Sequence, residues 1–127
     1  MPGDFASLDC ETTGTDPERD RIVEVAVVRD GERRAWRVFP GVPIPPEATA
    51  VHGIADADVA ASPRFADVAH EVAAALAGAI VVTFNGRAFD LPLLRAEFTR
   101  AGFAWPLADA PVVDVLTLDR ELTRHTL

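Results

Sequence analysis

The chain of 127 residues has one cysteine, no tyrosine and no apolar run long enough to cross a membrane. The single Cys10 excludes a disulfide within the chain, and a membrane span needs about 20 consecutive apolar residues. Nothing at the N-terminus resembles a secretory leader. We therefore expect one cytoplasmic domain over residues 1–127, long enough to bury a single core.

Positive charge is also scarce. Twelve basic residues stand against 20 acids, which makes the net charge −8. A protein that holds nucleic acid by bulk electrostatics usually shows a basic surface, so this composition argues against that mode of binding. Acids that hold divalent cations count as negative in the sequence but are neutralised when the site is loaded, so a metal-dependent enzyme is not excluded.

The N-terminal segment FASLDCETTG holds two acids at alternate positions. Its apolar residues 5–8 are typical of a short buried strand. Because side chains alternate along a strand, Asp9 and Glu11 point to one face and Cys10 points to the other. Two adjacent like charges repel each other, and bound Mg²⁺ or Mn²⁺ with oxygen ligands would compensate for them. Two solvated acids at the end of a strand are the alternative.

A third acid follows the segment IVVTF. Residues 80–84 are predicted to form a strand, an Asn-Gly pair predicts a turn, and helical spacing predicts a helix over 88–101. Asp90 lies in the first turn of that helix, where an acid can simply complement the helix dipole. On a mostly apolar face, it is also suited to join the two acids of the first strand around metal ions.

The remaining pattern predicts a mixed α/β sheet with helices and no internal repeat. An Asp-Gly pair joins two strands in a hairpin, and a proline-rich segment over 40–46 then crosses without a helix. The predicted strands are 5–9, 22–29, 34–39, 80–84 and 112–113. The predicted helices are 56–60, 63–76, 88–101 and a last one from about residue 115.

These motifs resemble those of the DEDD superfamily of 3′→5′ exonucleases, most closely its DEDDh branch, which includes proofreading epsilon subunits of bacterial DNA polymerase III. The motif D-x-E-T-T-G is matched by Asp9, Glu11, Thr12, Thr13 and Gly14, and N-x-x-x-F-D-x-x-x-L by Asn85, Phe89, Asp90 and Leu94. The segments IPPEATAVHGIADADV and PVVDVLTLDRELTR resemble two further stretches of the family. The resemblance implies a ribonuclease H-like fold: three antiparallel strands, then parallel strands, with flanking helices and the first strand beside the fourth.

The resemblance also implies a chemistry, namely hydrolysis of nucleic-acid phosphodiesters from the 3′ end with two Mg²⁺ or Mn²⁺ ions. The implied catalytic and metal-binding residues are Asp9, Glu11 and Asp90, with Asp9 bridging both ions. The implied substrate-binding residues are Thr12, Thr13, His52 and Asn85. Their alternatives are turn residues for the two threonines, a loop residue for the histidine, and a helix cap for the asparagine.

The implied substrate is a single-stranded 3′ end, with DNA favoured over RNA. Because the chain is acidic, we expect it to hold nucleic acid weakly by itself and to depend on a partner such as a polymerase. No membrane partner is expected.

The third motif of the branch, H-x-A-x-x-D, is absent from this sequence. Its histidine is the general base and its aspartate the fourth metal ligand. None of the three histidines, His52, His70 and His125, is followed by an aspartate five residues later, and the variant with tyrosine is excluded. We therefore expect either a fragment without its C-terminal motif helix or a reduced form, impaired because a general base contributes about 10²–10⁴ in rate. An inactive module that binds nucleic-acid ends or a protein is the alternative, and a purely structural domain is another.

Overall fold

The computed structural model describes residues 4–115, in which five strands form one sheet in the order β3-β2-β1-β4-β5. The strands are β1 (Phe5–Thr12), β2 (Ile22–Arg29), β3 (Glu32–Arg37), β4 (Ile80–Thr83) and β5 (Val112–Asp114). The first three pair antiparallel, whereas β4 is parallel to β1 and β5 is parallel to β4. This confirms the predicted α/β architecture, with the first strand beside the fourth.

The described helices are α1 (Pro46–His52), α2 (Asp56–Val59), α3 (Phe65–Leu76) and α4 (Asp90–Arg100). The predicted last helix lies outside the described residues except for Val115. Among the residues described, no helix is both long and apolar enough to cross a membrane.

The side chains of β1 are divided between the two faces of the sheet. Ala6, Leu8 and Cys10 are buried in the main core, which also contains the apolar residues of α3 and α4. Asp9 is exposed and Glu11 half-buried on the opposite face. Full burial of a large apolar side chain contributes about 1.5–3 kcal/mol, and a shift of one residue would turn the buried set outward. The core therefore dictates which face carries the two acids.

A smaller cluster fixes the segment between β3 and α3. Val23 of β2 packs there with Ile44, Ile54 and Val59. The backbone N–H of Ile44 also donates to Asp56 Oδ1 at 2.9 Å. Together these contacts hold α1 and α2 against the sheet and bring the residues around position 52 close to the end of β1.

The proline-rich crossing has no helix over 40–45, as predicted, but the sequence analysis missed α1, which begins at Pro46. Proline usually stops a helix, but Pro46 stands in the first turn of α1, where a backbone N–H has no partner within the helix. The helix ends at His52 and is capped by Gly53, whose φ of 77° is readily adopted only by glycine and whose N–H donates to Thr49 O.

Several boundaries differ from the prediction, among them β3, which spans Glu32–Arg37 rather than 34–39, and two that lie at the predicted site. β1 extends through Thr12 rather than ending at Asp9, because its pairing with β2 continues past Glu11 with a shift of register. α4 begins at Asp90 rather than at residue 88, with Phe89 in the N-cap position. Both differences depend on tertiary pairing that local composition does not reveal.

Candidate active site

One hydrogen bond joins the two halves of the predicted site. The backbone N–H of Cys10, in β1, donates to Asp90 Oδ2 at 3.2 Å, although 80 positions separate the two residues in the chain. Cys10 stands between Asp9 and Glu11, so the carboxylate at the start of α4 lies against the strand that carries the other two acids. The fold thus brings the three acids Asp9, Glu11 and Asp90 to one place.

The electrostatics of the three acids reflect this proximity. Burial is the largest influence on Asp90, and together with the charges of Asp9, Glu11 and Asp114 it raises the pKa of Asp90 to about 6. The hydrogen bond from Cys10 acts in the opposite direction. Burial, followed by the charge of Asp9, also raises the pKa of Glu11. The site concentrates negative charge that a cation would relieve.

The donor set suits a hard divalent cation, because carboxylate oxygens are the ligands that Mg²⁺ and Mn²⁺ prefer. Within residues 4–115, however, no group of three or more Asp, Glu, His or Cys side chains is arranged to hold a metal ion. Carboxylates that repel each other converge when a cation offsets their charge. The structure thus supplies donors of suitable chemistry without a closed ligand set, and the metal site stays a prediction.

The loop that delivers Asp90 is held by Asp114, which is 4% exposed at the end of β5. Its two carboxylate oxygens accept the N–H of Asn85 at 2.7 Å and of Arg87 at 3.2 Å. The loop is tight, since a Cβ on Gly86 would clash with the Thr83 side chain. Asp114 thus ends β5 and fixes the turn before α4.

Asn85 adopts a left-handed backbone conformation with φ of 59°. Asparagine tolerates this conformation better than most residues. The alternative prediction for Asn85, as the cap of the following helix, is wrong, because α4 begins five positions later without a side-chain cap. Its half-buried side chain lies in the turn between β4 and Asp90, and its contact with substrate stays a prediction.

The two threonines of the first motif have different surroundings. Thr12 is half-buried and its hydroxyl donates to Gly14 O at 2.7 Å. Thr13 is buried, and its hydroxyl donates to Asp20 Oδ1 at 2.9 Å and accepts from the N–H of Arg21 at 3.0 Å. These bonds close the turn between β1 and β2, so the hydroxyl of Thr13 has internal partners.

His52 lies beside the end of β1. The N–H of Ile54 donates to Nδ1 at 3.1 Å, and Nε2 lies 3.0 Å from Thr12 O. Because Nδ1 accepts and Thr12 O can only accept, the proton of the neutral ring is assigned to Nε2. His52 is the last residue of α1 rather than a free loop residue. It couples that helix to the strand of the acids.

Glu97 is a supporting residue that the sequence analysis missed. It is 2% exposed, its Oε2 accepts the N–H of Ile22 at 3.0 Å, and its Oε1 pairs with Arg21 at 2.8 Å. These bonds hold α4, and with it Asp90, against the start of β2. The sequence feature that could have identified Glu97 is its position on an apolar face of the helix, two turns after Asp90.

An open cavity of about 400 Å³ lies beside Asp9. Val82 and Phe84 line its β4 side, and Val115 lines another part of the wall. Phe84 is 70% exposed, although it directly follows a buried strand. The cavity is therefore lined by both an exposed aromatic ring and a carboxylate, and it suits a ligand with apolar and charged parts.

Comparison with known proteins gives the site a context. The family model RNase_T, described as Exonuclease, matches residues 7–126. The DNA polymerase III subunit epsilon-like protein of Rhodobacter capsulatus is 41% identical over 122 residues, covering 90% of this chain and 17% of that protein. The DNA polymerase III subunit epsilon of Treponema pallidum is 33% identical over 100 residues, covering 75% of this chain and 46% of that protein. The chain thus spans less than half the length of these relatives.

Solved structures show the same fold. Apo exonuclease I superposes with a TM-score of 0.85 at 24% identity, covering 97% of this chain and 31% of that one. Escherichia coli exonuclease I in complex with a dT13 oligonucleotide superposes with a TM-score of 0.84 at 24% identity, covering 96% and 30%. The family match includes both motifs that carry the three acids. The chain therefore belongs to the RNase_T exonuclease family, and its relatives include epsilon subunits of DNA polymerase III.

Proposed function

We propose that this chain carries a 3′→5′ exonuclease site that hydrolyses phosphodiesters at single-stranded ends, DNA more readily than RNA. The observation that carries the proposal is the contact between Cys10 N and Asp90 Oδ2, because it holds the first turn of α4 against the strand that carries the other two acids. The raised pKa values of Asp90 and Glu11 support it, since perturbed acids concentrate at functional sites.

Asp9, Glu11 and Asp90 are the residues that would hold two divalent cations, Mg²⁺ or Mn²⁺. When bound, such ions supply an activated water and stabilise the leaving oxygen of the phosphodiester. The chain's own contribution is to orient the three carboxylates on rigid elements, β1 and the first turn of α4. Phe84 and the cavity beside Asp9 would receive the terminal nucleotide, together with Thr12, His52 and Asn85, whereas the predicted contact of Thr13 is disfavoured because Thr13 is buried and bonded within the turn.

The partners and location belong to the same proposal. Relatives named as subunits of DNA polymerase III favour a polymerase partner. Exonuclease I solved with a dT13 oligonucleotide favours single-stranded DNA as the substrate. The net charge of −8 adds a physical reason for a partner, because the acidic chain holds a polyanion weakly by itself. A cytoplasmic location fits a protein that works with a DNA polymerase.

A second candidate is an inactive module that binds nucleic-acid ends or a protein partner. It is favoured by the absence of a closed metal-ligand group from residues 4–115. In that case the three acids would retain a binding role without turnover. The two candidates differ in one observable, the shortening of a strand.

The deciding experiment follows a 5′-fluorescein-labelled single-stranded DNA oligonucleotide on a sequencing gel with Mn²⁺ or Mg²⁺. Stepwise shortening that disappears in Asp9→Asn and Asp90→Asn supports the exonuclease. Asp109→Asn is the matched control, because Asp109 is exposed and removed from the three acids in sequence. A copy with a 3′-terminal phosphorothioate tests the direction, and an RNA copy tests the preference for DNA.

Folded protein that binds the oligonucleotide without shortening it would favour the inactive module. Shortening that continues unchanged in Asp9→Asn would contradict the assignment of the acids. An impaired form predicts turnover at a level roughly 10²–10⁴ below that of an enzyme with a general base.

A further inference from the structure

We propose that a groove between α4 and the edge strand β5 docks an acidic peptide segment that carries an apolar side chain. The groove has a volume of about 390 Å³. Leu91 and Leu107 are among the apolar side chains that line it, and Trp105 forms part of the wall. Arg87 and Arg95 also line it, and both are exposed. The docking proposal does not rest on the proposed nuclease activity.

The two arginines differ from the others in the described part of the chain. Six arginines in residues 4–115 form ion pairs with carboxylates: Arg19, Arg21, Arg29, Arg33, Arg37 and Arg100. Two more lie over aromatic rings, Arg34 over Trp36 and Arg64 over Phe39. Arg87 and Arg95 are the two within residues 4–115 that have neither kind of partner, and both line the same groove.

It is informative that the two arginines without these partners line the same groove. Of the ten arginines in residues 4–115, four have no acid partner, and two of those four lie over aromatic rings instead. Arg87 is also held in place, since its side chain donates to Val112 O at 2.7 Å. A preorganised guanidinium binds a carboxylate at a smaller entropic cost than a free one. The groove thus offers two positive charges above an apolar floor, on a molecule that otherwise repels acidic partners.

Position in the fold favours a peptide over the nucleic-acid strand. Arg95 stands more than one turn of α4 beyond Asp90, so this end of the groove lies away from the three acids. The apolar floor, which includes Leu91 and Leu107, does not bind a phosphate backbone. It suits a leucine or phenylalanine side chain flanked by acids.

The test selects peptides from a displayed library of random 12-residue sequences on the immobilised 127-residue chain. We expect the enriched sequences to combine Asp or Glu with a large apolar residue. The affinity of a selected peptide is then measured by fluorescence anisotropy. We expect roughly three- to fivefold weaker binding to Arg95→Gln and about tenfold weaker binding to Arg95→Glu, as for exposed charge pairs.

Matched controls separate the groove from general charge effects. Arg19→Glu makes the same change of charge at an exposed side chain in the turn between β1 and β2, and we expect it to leave peptide affinity unchanged. A copy of the peptide with Asn and Gln in place of its acids should bind wild type as weakly as the acidic peptide binds Arg95→Glu. Circular dichroism melts check that the variants are folded.

Three results would overturn the proposal. The first is the absence of enriched peptides, including the case in which the chain's own C-terminal residues fill the groove. The second is enrichment of sequences without acids, or of peptides insensitive to Arg95→Glu. The third is a loss of affinity of Arg95→Glu for a dT oligonucleotide equal to its loss for the peptide, which would assign the groove to nucleic acid instead.

Discussion

Cys10 donates its backbone N–H to Asp90 Oδ2 at 3.2 Å and thereby anchors the first turn of α4 to the middle of β1. The bond stabilises the ionised form of Asp90, while burial and the neighbouring acids destabilise it. Burial and the acids prevail, since the pKa of Asp90 rises to about 6. The protein therefore keeps an acid where its charge is unfavourable in the absence of a cation.

A pH dependence of stability follows for the metal-free protein. Because the pKa of Asp90 is about 6 in the folded chain and 3.8 ordinarily, the folded state binds the proton more tightly. The stabilisation from this proton is complete below about pH 4 and is lost as the pH rises through 6. Allowing for solvent screening, we expect the Asp90 contribution to fall by about 1–2 kcal/mol between pH 4 and 7.

The measurement is urea unfolding with EDTA at several pH values, comparing wild type with Asp90→Asn. The variant should lose most of this pH dependence. A smaller pH dependence should remain, because the pKa of Glu11 is also raised. Asp109→Asn should follow the wild-type curve. Identical pH profiles for wild type and Asp90→Asn would contradict the position assigned to this carboxylate.

Divalent cations should raise the melting temperature. A ligand that binds only the folded state at 100 times its Kd adds about 2.7 kcal/mol of stability, which corresponds to roughly 8–15 °C for a domain of this size. Differential scanning fluorimetry with Mn²⁺, Mg²⁺ or EDTA measures the shift. Asp9→Asn should abolish most of it, and Asp109→Asn should preserve it. A shift of equal size in Asp9→Asn would show that the cation binds elsewhere.

Substitution of Thr13 should lower the free energy of unfolding more than substitution of Thr12. Thr13→Val removes the hydroxyl that bonds Asp20 and Arg21 while keeping the shape of the side chain. It should lower the free energy of unfolding by about 1–3 kcal/mol, because buried groups lose their partner. Thr12→Val removes one bond at a half-buried site and should cost about 1 kcal/mol or less. Equal stability of Thr13→Val and wild type in urea unfolding would count against the structural role.

Removing Glu97 should damage the fold more than removing an exposed acid. Glu97→Ala leaves Arg21 partly buried without its partner and Ile22 N–H without an acceptor. We expect a loss of about 3–5 kcal/mol in the free energy of unfolding, and a smaller loss for Glu97→Gln, which keeps an acceptor. Glu47→Gln, at an exposed position in α1, is the control. If Glu97→Ala changes the free energy of unfolding by less than about 1 kcal/mol, the ion pair of Glu97 with Arg21 does not stabilise the fold appreciably.

Much of the site was visible in the sequence for a physical reason. Asp9 and Glu11 follow an apolar strand, and the period of two places both on the face away from the core. The apolar run before Asp90 and the helical spacing after it identify a strand, a turn and a helix start. Such local patterns survive folding because the burial that they encode is the largest favourable term.

Sequence alone thus determined the mixed α/β class and the family and predicted the three acids, since these depend on periodicity and on motif order. Tertiary structure decided the rest. Only the fold reveals that Asp90 contacts Cys10, that Asp114 holds the loop before α4, and that Thr13 points inward. It also decided that α1 forms after the prolines and that Glu97 is buried. Each of these depends on contacts between residues far apart in the chain, whose burial and hydrogen bonds cannot be deduced from local spacing.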